Sequence, residues 1–144
     1  MKTANEKRVL SRFHYHVEPA KIRELADAIG DPNPVYRSLE AARSQGFQAI
    51  PVPPTFATVI DFWGGFDFDT LVSKLELNAL QVLHGEQEYE YIEQVYVGDH
   101  LEAEVKVLKQ NERKNMKFIV LETTYQREGK TVLISRSTVI ERKG

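Results

Sequence analysis

No cysteine occurs anywhere in the 144 residues. That excludes a disulfide framework, a thiolate nucleophile and a cysteine-built zinc site. An excess of charge of one sign is missing too: 19 Lys and Arg stand against 21 Asp and Glu, a net charge of −2, which gives no electrostatic reason to bind nucleic acid. No apolar run is long enough to span a bilayer, and the opening residues MKTANEKRVLSRF lack the apolar core of a signal peptide. The expectation is a cytoplasmic protein that does not enter a membrane. GxSxG, a phosphate loop, GxGxxG and HExxH are all absent, so serine hydrolase, nucleotide-binding and metalloprotease readings have no support. The tyrosines of EQEYEYIEQVY lie among glutamates, the wrong charge for a base-stacking platform.

What is present suits one globular domain over residues 1–144. The chain is 42% hydrophobic and 28% charged, with no internal repeat, low-complexity tract or linker. Its densest set of Asp, Asn, Pro and Gly is GDPNPVYRSLEAARSQGF, Gly30 to Phe47, followed by PVPPTFATVIDFW, Pro51 to Trp63. Pro32 and Pro34 fix their own φ and push Asp31 and Asn33 out of the α region, which predicts a stiff extended loop. Two uses of those side chains stay open: a functional placement, or an Asx-turn in which they satisfy only nearby backbone N–H groups.

Around that loop the periodicity is helical. Pro19 opens a segment with Ile22, Leu25, Ala26 and Ile29 on one face and Gly30 past its end; a short second helix runs from about Leu39 to Gln45, with Ser38 as its cap. A third follows Pro53 and Pro54, with Phe56, Val59, Ile60 and Trp63 as apolar positions before Gly64 and Gly65. Being apolar nearly all round, it is expected to be buried. Phe66 to Leu80 reads either as a helical turn or flap, or as a surface loop with a few anchored side chains. Thereafter the period is two. Strands are expected at about Val82 to Ile92, around Leu101 to Val107, at Met116 to Arg127 and at Thr131 to Glu141, with turns at Gly98-Asp99, NERKN and Glu128-Gly129, forming a four-strand meander. Phe13, Tyr15 and Val17 alternate with His14, His16 and Glu18 in a further short strand. His14 and His16 then share an exposed face without a third ligand, so neither a metal nor a cofactor is expected.

The string GDPNPVY, then EAA, a glycine and VPPTFATV, resembles the N-terminal domain of MaoC-type dehydratases, also called the FAS1-like dehydratase domain. LHGEQEYEYIEQVYVGDHL is similar to that family's His-Gly segment and Val-Gly-Asp turn, and the likeness runs from about Phe13 to about Arg142. The resemblance implies an α+β hotdog fold, an antiparallel sheet wrapped around a central helix, and acyl thioesters of coenzyme A or acyl carrier protein as ligands. Within that family it is similar to the non-catalytic subunits of (3R)-hydroxyacyl-ACP dehydratases.

In catalytic members, the resemblance implies, Asp and His of a G-D-x-N-P-x-H pattern add water to a 2-enoyl thioester or remove it from a 3-hydroxyacyl thioester. Here the matching positions are Asp31, Asn33 and Tyr36. A phenol with an ordinary pKa of about 10 is a poor general base beside an imidazole near about 6.5. His84 stands as a possible substitute, or as a strand-start histidine with a hydrogen-bonded ring. Pro54, Thr55, Phe56 and Gly85 are the implied substrate-contacting positions.

Three functions remain open. One is a hydratase/dehydratase subunit that takes its histidine from a MaoC-like partner chain. The second is a self-sufficient hotdog enzyme, including a thioesterase with Asp31 or Asp61 as base. The third is a non-catalytic acyl-thioester binding module. An edge strand in such a sheet predicts at least a dimer, with itself or with the catalytic partner.

Overall fold

A computed structural model describes residues 8–143. The polar start of the sequence is expected to be loose to about Val9; residues 1–7 of it lie outside the described residues, and Arg8 and Val9 belong to the first strand. The first strand, β1, spans Arg8–His16 and is followed by α1 at Pro19–Ala28. Pro19 takes the first helical position, and Gly30 adopts φ +73° after the helix, as the sequence suggests. A 3-10 turn at Pro34–Tyr36 leads to α2 at Leu39–Ser44, where the Ser38 hydroxyl accepts from the Ala41 N–H at 3.1 Å. Then come α3 at Phe56–Trp63 and α4 at Phe68–Leu75. The strands β2 at Val82–Tyr91, β3 at His100–Arg113, β4 at Met116–Arg127 and β5 at Lys130–Arg142 complete the chain.

One strand, then the helices, then four more strands make the expected α+β domain. All described pairings are antiparallel and the sheet order is β1-β3-β4-β5-β2. Two-residue turns join β3 to β4 and β4 to β5. Lys114 and Asn115, and Glu128 and Gly129, all have positive φ, the geometry whose twist matches paired strands. The NERKN segment is therefore mostly strand, with only its last two residues turning.

The expected four-strand meander is corrected at one place. β2 lies beside β5, not β3, because the Ile92–Asp99 segment does not close a tight hairpin but crosses to the far side of the sheet. On the way Val95 is fully buried, Val52 N–H donates to the Val95 carbonyl (3.1 Å) and Val97 N–H to the Ile50 carbonyl (2.8 Å). Asp99 secures the crossing by accepting from Tyr96 N–H at 2.9 Å and from Arg127 at 2.6 Å.

α3 packs on the inner face of the sheet through Phe56, Ala57 and Ile60, each at most 1% exposed, against Leu101, Ala103, Tyr125 and Leu133. The expectation of burial all round is corrected. Trp63, counted among the apolar positions, is 79% exposed, because one curled sheet covers one side of a helix and leaves the other open. Phe66 to Leu80 also has more structure than a loop. Asp67 caps α4 by accepting from Thr70 N–H at 2.9 Å, and Phe66, Leu75 and Leu77 are buried in a second apolar cluster with Val105, Leu121 and Val139. Beyond it Glu141 accepts from Asn78 N–H at 2.6 Å and ties the segment to β5. Among the described residues no helix is long and apolar enough to cross a membrane.

Gly64 and Gly65 permit α3 to end against β1. A Cβ at Gly65 would stand 2.6 Å from the Phe13 ring, so only glycine fits there without displacing Phe13. Phe56 is the central side chain of the α3 interface, and Phe56→Ala is expected to cost about 3–5 kcal/mol in a urea unfolding experiment. A loss below about 1 kcal/mol would mean that α3 is not the buried helix.

Candidate functional site

The proline loop uses its polar side chains on itself. Asp31 Oδ1 accepts from Asn33 N–H at 3.0 Å, and Asn33 Oδ1 accepts from Val35 N–H at 3.1 Å, two successive Asx-turns that the flanking prolines pre-set. Arg37 binds the Asp27 carboxylate (2.6 Å) and the Asp31 carbonyl, closing the elbow from outside. Tyr36 is half-buried and packs against the core cluster around α3; burial, and then the nearby Asp31 charge, push its phenol above the ordinary tyrosine range. That shift takes it further from general-base use near neutral pH.

The other expected positions scatter. Pro54 and Thr55 are exposed at the start of α3, with the Pro54 carbonyl accepting from Tyr91 Oη at 2.8 Å. Phe56 is sealed in the core. Gly85 sits at a β-bulge between His84 and Glu86, and a Cβ there would meet Ile140 Cδ1 at 3.0 Å and the Thr138 carbonyl at 3.2 Å. The glycine thus serves the close approach of β2 to β5. His84 makes no ring hydrogen bond among the described residues; its ring meets Phe62 edge-on, with centroids 5.7 Å apart.

A candidate site lies elsewhere, between α3, α4 and the inner face of the sheet. It is a cavity of about 90 Å³ whose walls include Phe13, Phe62, Phe66, Leu71, Val105, Leu121 and Val139. The half-exposed side chains Phe68, Leu83 and His84, which also line it, mark its mouth between α4 and the start of β2. Of the residues singled out from sequence, His84 and Asp61 are brought together here, while Asp31, Asn33, Tyr36, Pro54, Thr55, Phe56 and Gly85 are not among its lining.

Asp61 is the chemically unusual member. It projects from α3 onto the middle of the sheet, where one carboxylate oxygen accepts from the Tyr125 hydroxyl and the other from Ser135 Oγ at 2.5 Å. Ser135 Oγ in turn accepts from Gln87 Nε2 at 3.1 Å. Burial pushes the Asp61 carboxyl above its ordinary value, only partly offset by the bonds from Ser135 and Tyr125. The surrounding phenols move the same way. Tyr125 is fully buried and raised well above the usual range, by burial first and by the Asp61 charge second; Tyr91 is pushed up to about 12, mainly by burial. Tyr89 is raised too, mainly by burial, so Tyr89, Tyr91 and Tyr125 stay protonated at neutral pH. Sequence reading named Asp61 only as a conceivable base; the signal for its partners was Tyr125 and Ser135 at inward positions of strands that also bury Ile119, Leu121, Leu133 and Val139.

No group of three His, Cys, Asp or Glu among the described residues is placed to hold a metal ion. On the opposite edge of the sheet, His14 Nδ1 lies 2.9 Å from His100 Nε2, and His16 pairs with Glu18 at 3.0 Å.

Comparison with known proteins gives a consistent result. A family model described as the FAS1-like, dehydratase domain region matches residues 7–135. A UPF0336 protein of Streptomyces avermitilis is 41% identical over 87 residues, 60% of this chain; that match spans only 57% of the relative's length. A UPF0336 protein of Saccharopolyspora erythraea is 33% identical over 131 residues, 89% of this chain and 82% of the relative. Among solved structures, a chain of the C-terminally truncated HadBC (3R-hydroxyacyl-ACP dehydratase) complex of Mycobacterium tuberculosis superposes with a TM-score of 0.81 at 22% identity, covering 97% of this chain and 99% of that one. The ChsH1–ChsH2 complex of the same organism gives 0.74 at 20% identity, covering 99% and 91%. At these identities the structural likeness concerns the fold, which is the hotdog fold.

The raised Asp61 carboxyl has a sign that can be checked. Folding favours its protonated form, so its contribution makes stability fall as pH rises from the ordinary aspartate value of 3.8 through the higher folded value. Urea midpoints measured across that window are expected to decline less steeply in Asp61→Asn than in the wild type. Identical slopes would show that the carboxyl is not perturbed.

Proposed function

The chain belongs to the FAS1-like dehydratase domain family, and from that premise we propose that it is the acyl-binding subunit of an (R)-specific 3-hydroxyacyl-thioester dehydratase or 2-enoyl-thioester hydratase. In this reading the acyl chain enters the cavity between α3, α4 and the sheet, and a MaoC-like partner chain supplies the Asp–His pair that moves the proton and the water. The observation that carries it is a division of labour. Much of the cavity wall is apolar, whereas in the elbow matching the catalytic pattern Asp31 Oδ1 and Asn33 Oδ1 each accept from a backbone N–H and a packed phenol stands at Tyr36. A chain that binds the acyl group but lacks the imidazole needs that group from outside.

The surface around the cavity mouth supports a partner. Trp63, Phe68 and Leu83 are 79%, 43% and 47% exposed, and β2 beside them is an edge strand with one side unpaired. A second hotdog chain seated there would cover the apolar rim, pair the edge and bring a histidine to the opening. The likeness to chains of two-component complexes, HadBC and ChsH1–ChsH2, agrees with this reading. The ligand class, coenzyme A or acyl carrier protein thioesters, comes with the family.

The purified chain is expected to hydrate crotonyl-CoA at a negligible rate and to become active with a partner carrying an intact G-D-x-N-P-x-H pattern. In that complex Asp31→Asn is expected to change turnover less than about three-fold, whereas loss of a general base costs roughly 10²–10⁴. A loss in that larger range would put Asp31 in the reaction, and robust turnover by the lone chain would remove the need for a partner. Release of thiol from acyl-CoA by the lone chain would favour hydrolysis instead, with Asp61 as the base.

A further inference from the structure

β2 is an edge strand whose outer face carries charge of one sign. Between Glu86 and Tyr91 its register with β5 is unbroken. Tyr89 and Tyr91 turn inward to the core and Gln87 to Ser135, so Glu86, Glu88 and Glu90 stand together on the outer face, all three exposed. Arg136 is the cation beside them. It lies 3.6 Å from Glu88 and 3.3 Å from Glu90, but it is already held by Glu122 at 3.0 Å, and Glu86 faces only Thr138 across the ladder. One guanidinium shared by three carboxylates leaves this edge negative. We propose that the charge pattern selects the chain that pairs with β2: a strand with Lys or Arg at alternate outer positions is accepted, and a second copy of this chain is refused. This rests on the partner-dependent reading above and names the chemistry of the partner within it.

Symmetry decides the refusal. Two copies joined antiparallel through β2 are related by a two-fold axis normal to the extended sheet, so outer face continues into outer face. Centred on Glu88, the pairing sets Glu88 against the second copy's Glu88, and Glu86 against its Glu90. Moved along by one step, it sets Glu86 against Glu88. Every such register in which the glutamates overlap puts like charges directly opposite, which destabilises the pair. A parallel pairing needs an axis along the strands instead, which turns the second core to the far side of the sheet and leaves Trp63, Phe68 and Leu83 uncovered. The β1 edge of another copy does not supply the missing cations either: Arg12 is committed to Glu104 at 2.9 Å, and the next outer positions are His14 and His16, the latter bonded to Glu18. Charges on an edge also keep it from pairing indiscriminately. Here the exposed apolar rim beside the strand favours a cover over open water, and a strand bearing cations opposite Glu86, Glu88 and Glu90 satisfies the rim and the charges together.

The test uses the full chain and its own charge-reversed form. The triple variant Glu86→Lys, Glu88→Lys, Glu90→Lys changes exposed side chains and leaves Arg136 with Glu122. Light scattering is expected to find the wild type and the variant each monomeric alone and a 1:1 complex when they are mixed. That complex should weaken roughly ten-fold at about 1 M salt, where screening shortens to about 3 Å. Should the lysine variant misfold, Glu86→Gln, Glu88→Gln and Glu90→Gln together remove the repulsion, and this neutral form is expected to dimerise where the wild type does not. A wild-type dimer, a mixture that stays monomeric while the lysine variant keeps its fold, or a glutamine variant that stays monomeric overturns the charge selection and leaves the acyl-thioester reading standing. Robust hydration of crotonyl-CoA by the lone monomer overturns that reading and leaves the charge selection standing.

Discussion

A short helix held against the inner face of a single curled sheet is the constraint from which the rest of this structure follows. α3 spans only Phe56–Trp63, too short to be stable alone in water, so its existence depends on burying Phe56, Ala57 and Ile60 against β3, β4 and β5. That burial fixes which way α3 faces. Once Phe56 and Ile60 point into the sheet, Asp61 points toward Tyr125 and Ser135, and Trp63 is left in solvent. The same interface therefore sets both the core and the most unusual polar group in the molecule.

The cavity is a consequence of what happens after α3 ends. Gly64 and Gly65 let the chain turn against Phe13, and α4 packs over the next part of the sheet as a separate, thinner layer with its own apolar cluster. Two helices resting side by side on one face leave a gap between their footprints, and this gap is lined by side chains from both and from the sheet beneath. A carboxylate in such a wall is costly unless donors meet it. Tyr125 and Ser135 meet it, so part of that cost is offset.

The proline elbow illustrates how rigidity and function separate. Pro32 and Pro34 hold Asp31 and Asn33 in place, as their backbone restrictions require, but the place they hold is a pair of Asx-turns that feed the chain from α1 into α2. Where the pattern would have a histidine, Tyr36 packs against the core. The fold of the family is kept in this chain, and a phenol stands at that position.

Much of the architecture was legible in the sequence because it rests on local rules: proline and glycine bounding α1, Ser38 capping α2, alternation along β3 to β5, and two-residue turns where Asn115 and Gly129 tolerate positive φ. The hotdog expectation came from motifs that matched a family along nearly the whole chain. The sequence could not decide the place of β2 beside β5, since alternation says which face a strand buries and not which neighbour it chooses. Nor could it decide that Asp61 would meet donors from strands 64 and 74 residues away, or that Asp31 would turn to its own backbone. Patterning along the chain determined the elements and their inward faces. Only tertiary packing, by bringing distant strands under one helix, decided which polar groups share a cavity.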